Sequence, residues 1–245
     1  MESNNPAKRL YEVLDATRGG GDTPLLMFWA KYLGSSEDYA GRVRIHFDVV
    51  QLVQECRRLI EGLGEVDKPL FLEPLDTIET ALEACGTRGS CIQLINNIPD
   101  TALTALRFCD EILKRRMGEQ LIEEQDLGNL HSDVESLISR IVDMSLPQEF
   151  KTILIDGLEE IRRAIILYRL LGAAGLKRAF ESNLVMAARF RDQIENMPGS
   201  EDNRDVGRDF FKILSALDSI LAAALKGKQL AGTVFKMLGA GGGSQ

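Results

Sequence analysis

Between Ile161 and Phe180 the chain reads IRRAIILYRLLGAAGLKRAF, and from Ala164 to Leu171 it is apolar on every side of a helix except at Arg169. A helix that meets protein on one side needs only one apolar stripe, so this pattern demands either lipid or neighbours on several sides. The run is well short of the roughly 18 apolar residues that a spanning helix needs. The interior of a helical bundle remains. Two seams agree with it: Phe150, Leu154, Leu158, Ile161, Ile165 and Tyr168 share one side, and Ile155, Ile166 and Leu170 share another. Gly172 closes this helix. Ala173 to Asn196 forms the next, with Leu176, Phe180, Leu184, Ala187, Phe190 and Ile194 inward. The link is short, so the spacing predicts an antiparallel helical hairpin at the core of the C-terminal half.

Elsewhere the punctuation is also helical. Pro6 follows Asn5 and Pro24 follows Thr23, each reading as a first-turn proline behind a capping side chain. A short helix from Pro24 ends at Gly34, and Ser35 and Ser36 offer caps for a long helix to about Leu63. Its stripe is Ile45, Val49, Leu52, Cys56, Leu59 and Leu63. Gly64 to Pro74 reads as a connector, with a helix from Pro74 to Gly86, a tight CGTRGSC link, and a short helix stopped by Pro99. Asp100 opens a helix that closes on Lys114, Arg115 and Arg116, where cations suit the negative end of the helix dipole. The last helix spans about Asp209 to Leu225, with Asp209 and Asp218 on its polar side. The expected fold is all-α, a multi-helix bundle of about 8–10 helices. The expected layout is an N-terminal helical half over 1–118, an acidic hinge over 119–128, a C-terminal antiparallel bundle over 129–238, and a disordered tail over 239–245.

Composition narrows the function. A net charge of −8 argues against general affinity for nucleic acid. MESNNPAKRL carries no apolar stretch of signal-peptide type, so the expected compartment is the cytoplasm and the four cysteines are expected as thiols. They form no C-x-x-C pair. Cys85 and Cys91 bracket a glycine-rich link where a regulatory disulfide is conceivable, with buried thiols as the plainer reading.

Catalytic constellations are missing. Gly19-Gly20-Gly21 and Gly86 to Ser90 lack the lysine of a phosphate-binding loop. Cys109 and Arg115 have the bare spacing of a tyrosine phosphatase loop, but CDEILKR lies inside a helical pattern and cannot curl its amides around phosphate. Of the two histidines, His131 stands four residues before Glu135, and neither lies three residues after a glutamate as di-iron bundles require. No cofactor and no metal are expected. A solvated acidic face is the plain reading of the acids around His131.

The positive signals concern surfaces. Arg162, Arg163, Lys177 and Arg178 are expected to form a basic rim on the hairpin that meets a protein partner or a second copy. Leu230, Val234, Lys236 and Leu238 extend an amphipathic pattern begun at Phe210. That segment can dock in a groove, its own or a partner's, or lie on a membrane surface. LPQEFKTILIDGLEEIRRAIILYRLLGAAGLKRAFE resembles helical hairpins of bacterial proteins, a resemblance that carries over no functional residue. The expectation is a non-enzymatic scaffold, regulator or inhibitor acting through helix-mediated protein contacts. A membrane-surface protein and an enzyme are the alternatives.

Overall fold

The computed structural model describes residues 4–35, 38–64, 67–116, 120–195 and 201–225. Among them are ten α-helices, two short 3-10 turns and no strand. The chain divides into two compact units, Met1–Glu119 with Ile166–Gly172, and Gln120–Ile165 with Ala173–Gln245.

The first unit holds α1 (Pro6–Thr17), α2 (Leu25–Tyr32), α3 (Tyr39–Glu61), α4 (Lys68–Cys85), α5 (Cys91–Asn96) and α6 (Asp100–Arg116). Asn5 starts α1 as expected, its side-chain oxygen accepting from the Lys8 amide at 3.2 Å with Pro6 next in line. Its Nδ2 also donates to the Asp110 carboxylate at 2.6 Å, which ties the start of α1 to α6. Helix α1 packs on α3 and α6, α4 on α3 and α6, and α2 on α3. Their apolar stripes close one core around Leu10, Leu14, Trp29, Ile45, Val49, Ile60, Leu75, Ile78 and Leu106. The Trp29 indole donates to Thr17 Oγ1 at 2.9 Å, and Thr17 donates onward to the Val13 carbonyl at 2.6 Å. The one large polar group of this aromatic is therefore satisfied inside the core.

Three starts differ from expectation. Pro24 is the residue before α2 and lends it no side-chain cap. Asp38, not a serine, caps α3 by accepting from the Gly41 amide at 2.9 Å. Helix α4 begins at Lys68 and runs through Pro74. An interior proline costs a helix about 3 kcal/mol. Here Pro69 takes the first turn, where a missing N–H is harmless, and buried Phe71, Leu75, Ile78 and Leu82 keep helical register across Pro74. Packing outweighs the lost bond.

The second unit holds α7 (Glu124–Asp143), nearly all of α8 (Gln148–Ile166), the body of α9 (Tyr168–Glu195) and α10 (Glu201–Ala224). The segment expected as a hinge is helical from Glu124, where Glu124 and Asp126 suit the positive helix end. Likewise α10 starts at Glu201, before the Asp209 expected as its beginning. Leu130, Val134, Leu137 and Ile141 of α7 and Phe210, Leu214, Leu217 and Leu221 of α10 are buried where these two helices pack. Asp218 lies on that buried face, not on the polar side, with 3 % of its surface exposed.

Helices α8 and α9 approach through Gly157, whose carbonyl accepts from Asn183 Nδ2 at 3.1 Å. The two residues lie at similar distances before and after the break, as in an antiparallel hairpin. Phe190 and Ile194 lie outside the described side chains.

The hairpin turn is not a simple stop at Gly172. The chain breaks at Leu167, resumes helix at Tyr168, and kinks at Gly172, where φ is 60° and ψ −165°. Leu167 and Leu170 are fully buried in the core of the first unit, and Ile166 and Leu171 pack against it. This accounts for the all-round apolarity. Residues up to Ile165 serve one core and the seven from Ile166 to Gly172 serve another.

Candidate functional site

Helix α6 turns two faces to its surroundings. Ala102, Leu103, Leu106, Cys109 and Leu113 are buried in the first unit's core. A second stripe, Thr101, Ala105, Phe108, Ile112 and Arg115, repeats at steps of four and three and, with Thr104 beside it, lines a groove that Leu70 and Phe71 of α4 complete. The groove has a volume of about 530 Å³. Its floor is apolar through Phe71, Ala105 and Ile112. Two large apolar side chains on it stay in water, Leu70 at 61 % exposure and Phe108 at 60 %.

The ends of the stripe differ. Threonines mark the N-terminal end. At the other, Arg115 lines the groove and Arg116 follows it, both exposed, and neither makes an ion pair among the described residues. Glu111 also lines the groove, but Lys114 stands 3.9 Å from it.

The second unit has a cleft of different character between α7 and α10, lined by Asp133, Ser136, Arg140, Asp209 and Lys212. Asp209 accepts from Arg140 at 2.6 Å and from Lys212 at 2.7 Å. Lys212, then Arg140, hold its carboxyl below the usual carboxylate range. Such an acid is fully ionised and already partnered, so it is a poor proton donor or acceptor near neutrality. The cleft reads as an ion-pair clasp.

The remaining reactive groups are quiet. His46 is 6 % exposed and stacks on Trp29, with ring centroids 5.9 Å apart; burial pushes its pKa down. His131 sits 3.7 Å from Glu135, the helical pairing read from sequence. All four cysteines are free thiols. Burial raises each of them, Cys109 to about 12, which keeps thiolate scarce. Cys85 is placed by a contact of its Sγ with the Ser90 carbonyl at 3.7 Å. Among the described residues no cluster of three or more His, Cys, Asp or Glu side chains could hold a metal ion.

The residues singled out from sequence fall as follows. Arg162 pairs with Glu135 at 2.9 Å and Glu159 at 2.6 Å, which raises its pKa further and joins α8 to α7. Lys177 stands 3.7 Å from Glu181, Arg163 is half-buried and Arg178 is exposed. Leu230, Val234, Lys236 and Leu238 lie outside the described residues. No described helix is long and apolar enough to cross a membrane. The groove itself was not anticipated. Its signal is Phe108, an aromatic displaced from the core stripe of α6 and in step with Ala105, Ile112 and Arg115.

The chain matches no family model, no curated protein and no solved structure.

Proposed function

We propose that this is a protein-binding helical module, a scaffold, regulator or inhibitor of another protein, whose contact surface is the groove between α4 and α6. The carrying observation is that Leu70 and Phe108, both mostly in water, stand over one apolar floor. Scattered single apolar residues need no explanation, whereas two large ones lining one groove mark a surface meant to be covered. A small ligand would sit on the floor and leave its margins wet. A helix laid along the stripe covers floor and margins together, with side chains at i, i+3, i+4 and i+7 entering between Phe108 and Leu70. Aromatic anchors of this kind dominate binding energy where they become fully desolvated. The cytoplasm is the proposed compartment, in keeping with four free thiols.

The test is photo-crosslinking in the cell of origin, with a benzophenone amino acid replacing Phe108 or Leu70, and Ser219 on the exposed side of α10 as the control position. Discrete protein adducts from 108 and 70, absent from 219, are the expected result. Adducts of equal yield at all three positions, or none at 108 and 70, would overturn the proposal.

A further inference from the structure

Resting on that reading of the groove, we infer that its occupant is an acidic amphipathic helix of a partner protein, oriented so that Asp or Glu residues at one of its ends lie against Arg115 and Arg116. The stripe from Thr101 to Arg115 spans about 21 Å at 1.5 Å per residue, four turns of helix, so a helix laid along it is read from end to end. The reading is polar at the threonines, apolar at Ala105, Phe108 and Ile112, and charged at the far end, where Glu111 stands beside Lys114 and Arg115 and Arg116 follow. A partner with a basic or neutral end would face two guanidinium groups that no carboxylate among the described residues neutralises. An acidic end supplies charge-assisted hydrogen bonds, which strengthen as the groove loses water.

The corner is also exceptional for its chain. With 37 acids against 29 Lys and Arg, the protein as a whole repels an acidic partner, and a local cationic site then fixes where such a partner lands and in which direction. Nucleic acid fits the same cations less well, because a polyanion would lie over the exposed apolar side chains of Leu70 and Phe108 without burying them. A second copy would bring the same cationic end and needs an acidic stripe of its own to satisfy it.

The experiment selects peptides from a displayed library of helix-biased sequences of about four turns, using the full-length chain as bait. Each clone is then measured against the unaltered chain, Phe108→Asp, and the double variant Arg115→Glu, Arg116→Glu. All three substituted side chains are solvent-exposed, and an unchanged Trp29 fluorescence transition confirms that the variants fold. The expected outcome is a set of clones that lose binding to Phe108→Asp, carry Asp or Glu within one turn of an end, and bind the double variant about tenfold more weakly. Clones that depend on Phe108 but show no acidic end and ignore the double reversal would sink the acidic-partner inference while leaving the groove in place. A selection yielding no clone that depends on Phe108 would remove the groove reading, and this inference with it.

Discussion

The two units hold long helices together by similar means and differ in the surfaces they present. In the first, one apolar cluster recruits residues from six helices and from the Ile166–Gly172 segment, and even Arg9, 1 % exposed, is drawn inside. In both, ion pairs add to the apolar stripes: Arg57 of α3 with Asp76 and Glu79 of α4 in the first unit, Arg162 of α8 with Glu135 of α7 and Arg140 of α7 with Asp209 of α10 in the second. Among the described residues, Met27, Tyr39, Phe47, Leu70, Ile92 and Phe108 are the exposed large apolar residues of the first unit, and Leu121, Val142 and Val185 those of the second. Single exposed apolar side chains are ordinary, but Leu70 and Phe108 of the first unit line one groove.

The contrast can be broken at two glycines. Gly172 has φ 60° with an extended ψ, a backbone state reserved for glycine, and a Cβ there would overlap the Arg9 guanidinium. Strain and overpacking together put Gly172→Ala at about 3 kcal/mol of destabilisation. Trp29 is the only tryptophan and lies in the first unit, so its fluorescence reads that unit alone while circular dichroism reads all helices. The expected result is a large drop in the urea midpoint by Trp29 fluorescence. An unchanged midpoint would mean that Ile166–Gly172 is not integral to the first core.

Gly157→Ala is the counterpart in the second unit. Its Cβ would meet Asn183 Oδ1 and, at 3.0 Å, Met186 Cε, forcing α8 from α9 and straining the Asn183 hydrogen bond. Overpacking of this kind costs about 2 kcal/mol. The loss should show in circular dichroism and leave the Trp29 transition in place. Equal shifts by both probes would show that the units unfold as one.

Much of this architecture was legible in sequence and some was not, for identifiable reasons. Ile45, Val49, Leu52 and Cys56 recur at helical spacing, and Asn5-Pro6 is a start signal, so helix type and core face follow from local pattern. Pro74 misled because a proline's cost is local, while its compensation comes from Phe71 and Leu75 reaching a core assembled from distant helices. Ile166 to Leu171 read as interior, but nothing local says which interior. The groove escaped because exposure is a tertiary property. Leu70 and Phe108 differ from core residues only in what fails to cover them.

A smaller effect tests the buried histidine of the first unit. Burial lowers the pKa of His46 below the 6.5 of the unfolded chain, so the unfolded state binds the proton more readily. Its contribution to stability is complete above pH 6.5 and declines as pH falls below that value. The slope reaches at most about 1.4 kcal/mol per pH unit. Comparing Trp29 midpoints near neutrality and about one unit below 6.5 should show the decline, and His46→Gln should flatten it. The same decline in His46→Gln would assign it to another group.

For Asp209 the sign is the same, but ion pairs rather than burial lower the pKa. Its folded pKa lies below the usual carboxylate value of 3.8, so the Arg140 and Lys212 pairs stabilise the second unit above that value and are lost as pH falls further. Being partly exposed, the pairs contribute only about 0.5–1 kcal/mol. Asp209→Asn should cost that much by circular dichroism and leave Trp29 untouched; a loss several times larger would mean the clasp is dry.

Reversing Arg162, Arg163, Lys177 and Arg178 to Glu together removes three exposed pairs, each contributing at most about 1 kcal/mol, and sets like charges beside Glu135, Glu159 and Glu181. The interest lies in binding. If partners dock through the groove alone, crosslinks from position 108 survive the fourfold reversal, because those cations belong to the other unit. If the reversal abolishes them while both unfolding transitions stay in place, the basic residues of the second unit and the apolar groove of the first serve one partner. The division of labour between the units would then hold for stability but not for recognition.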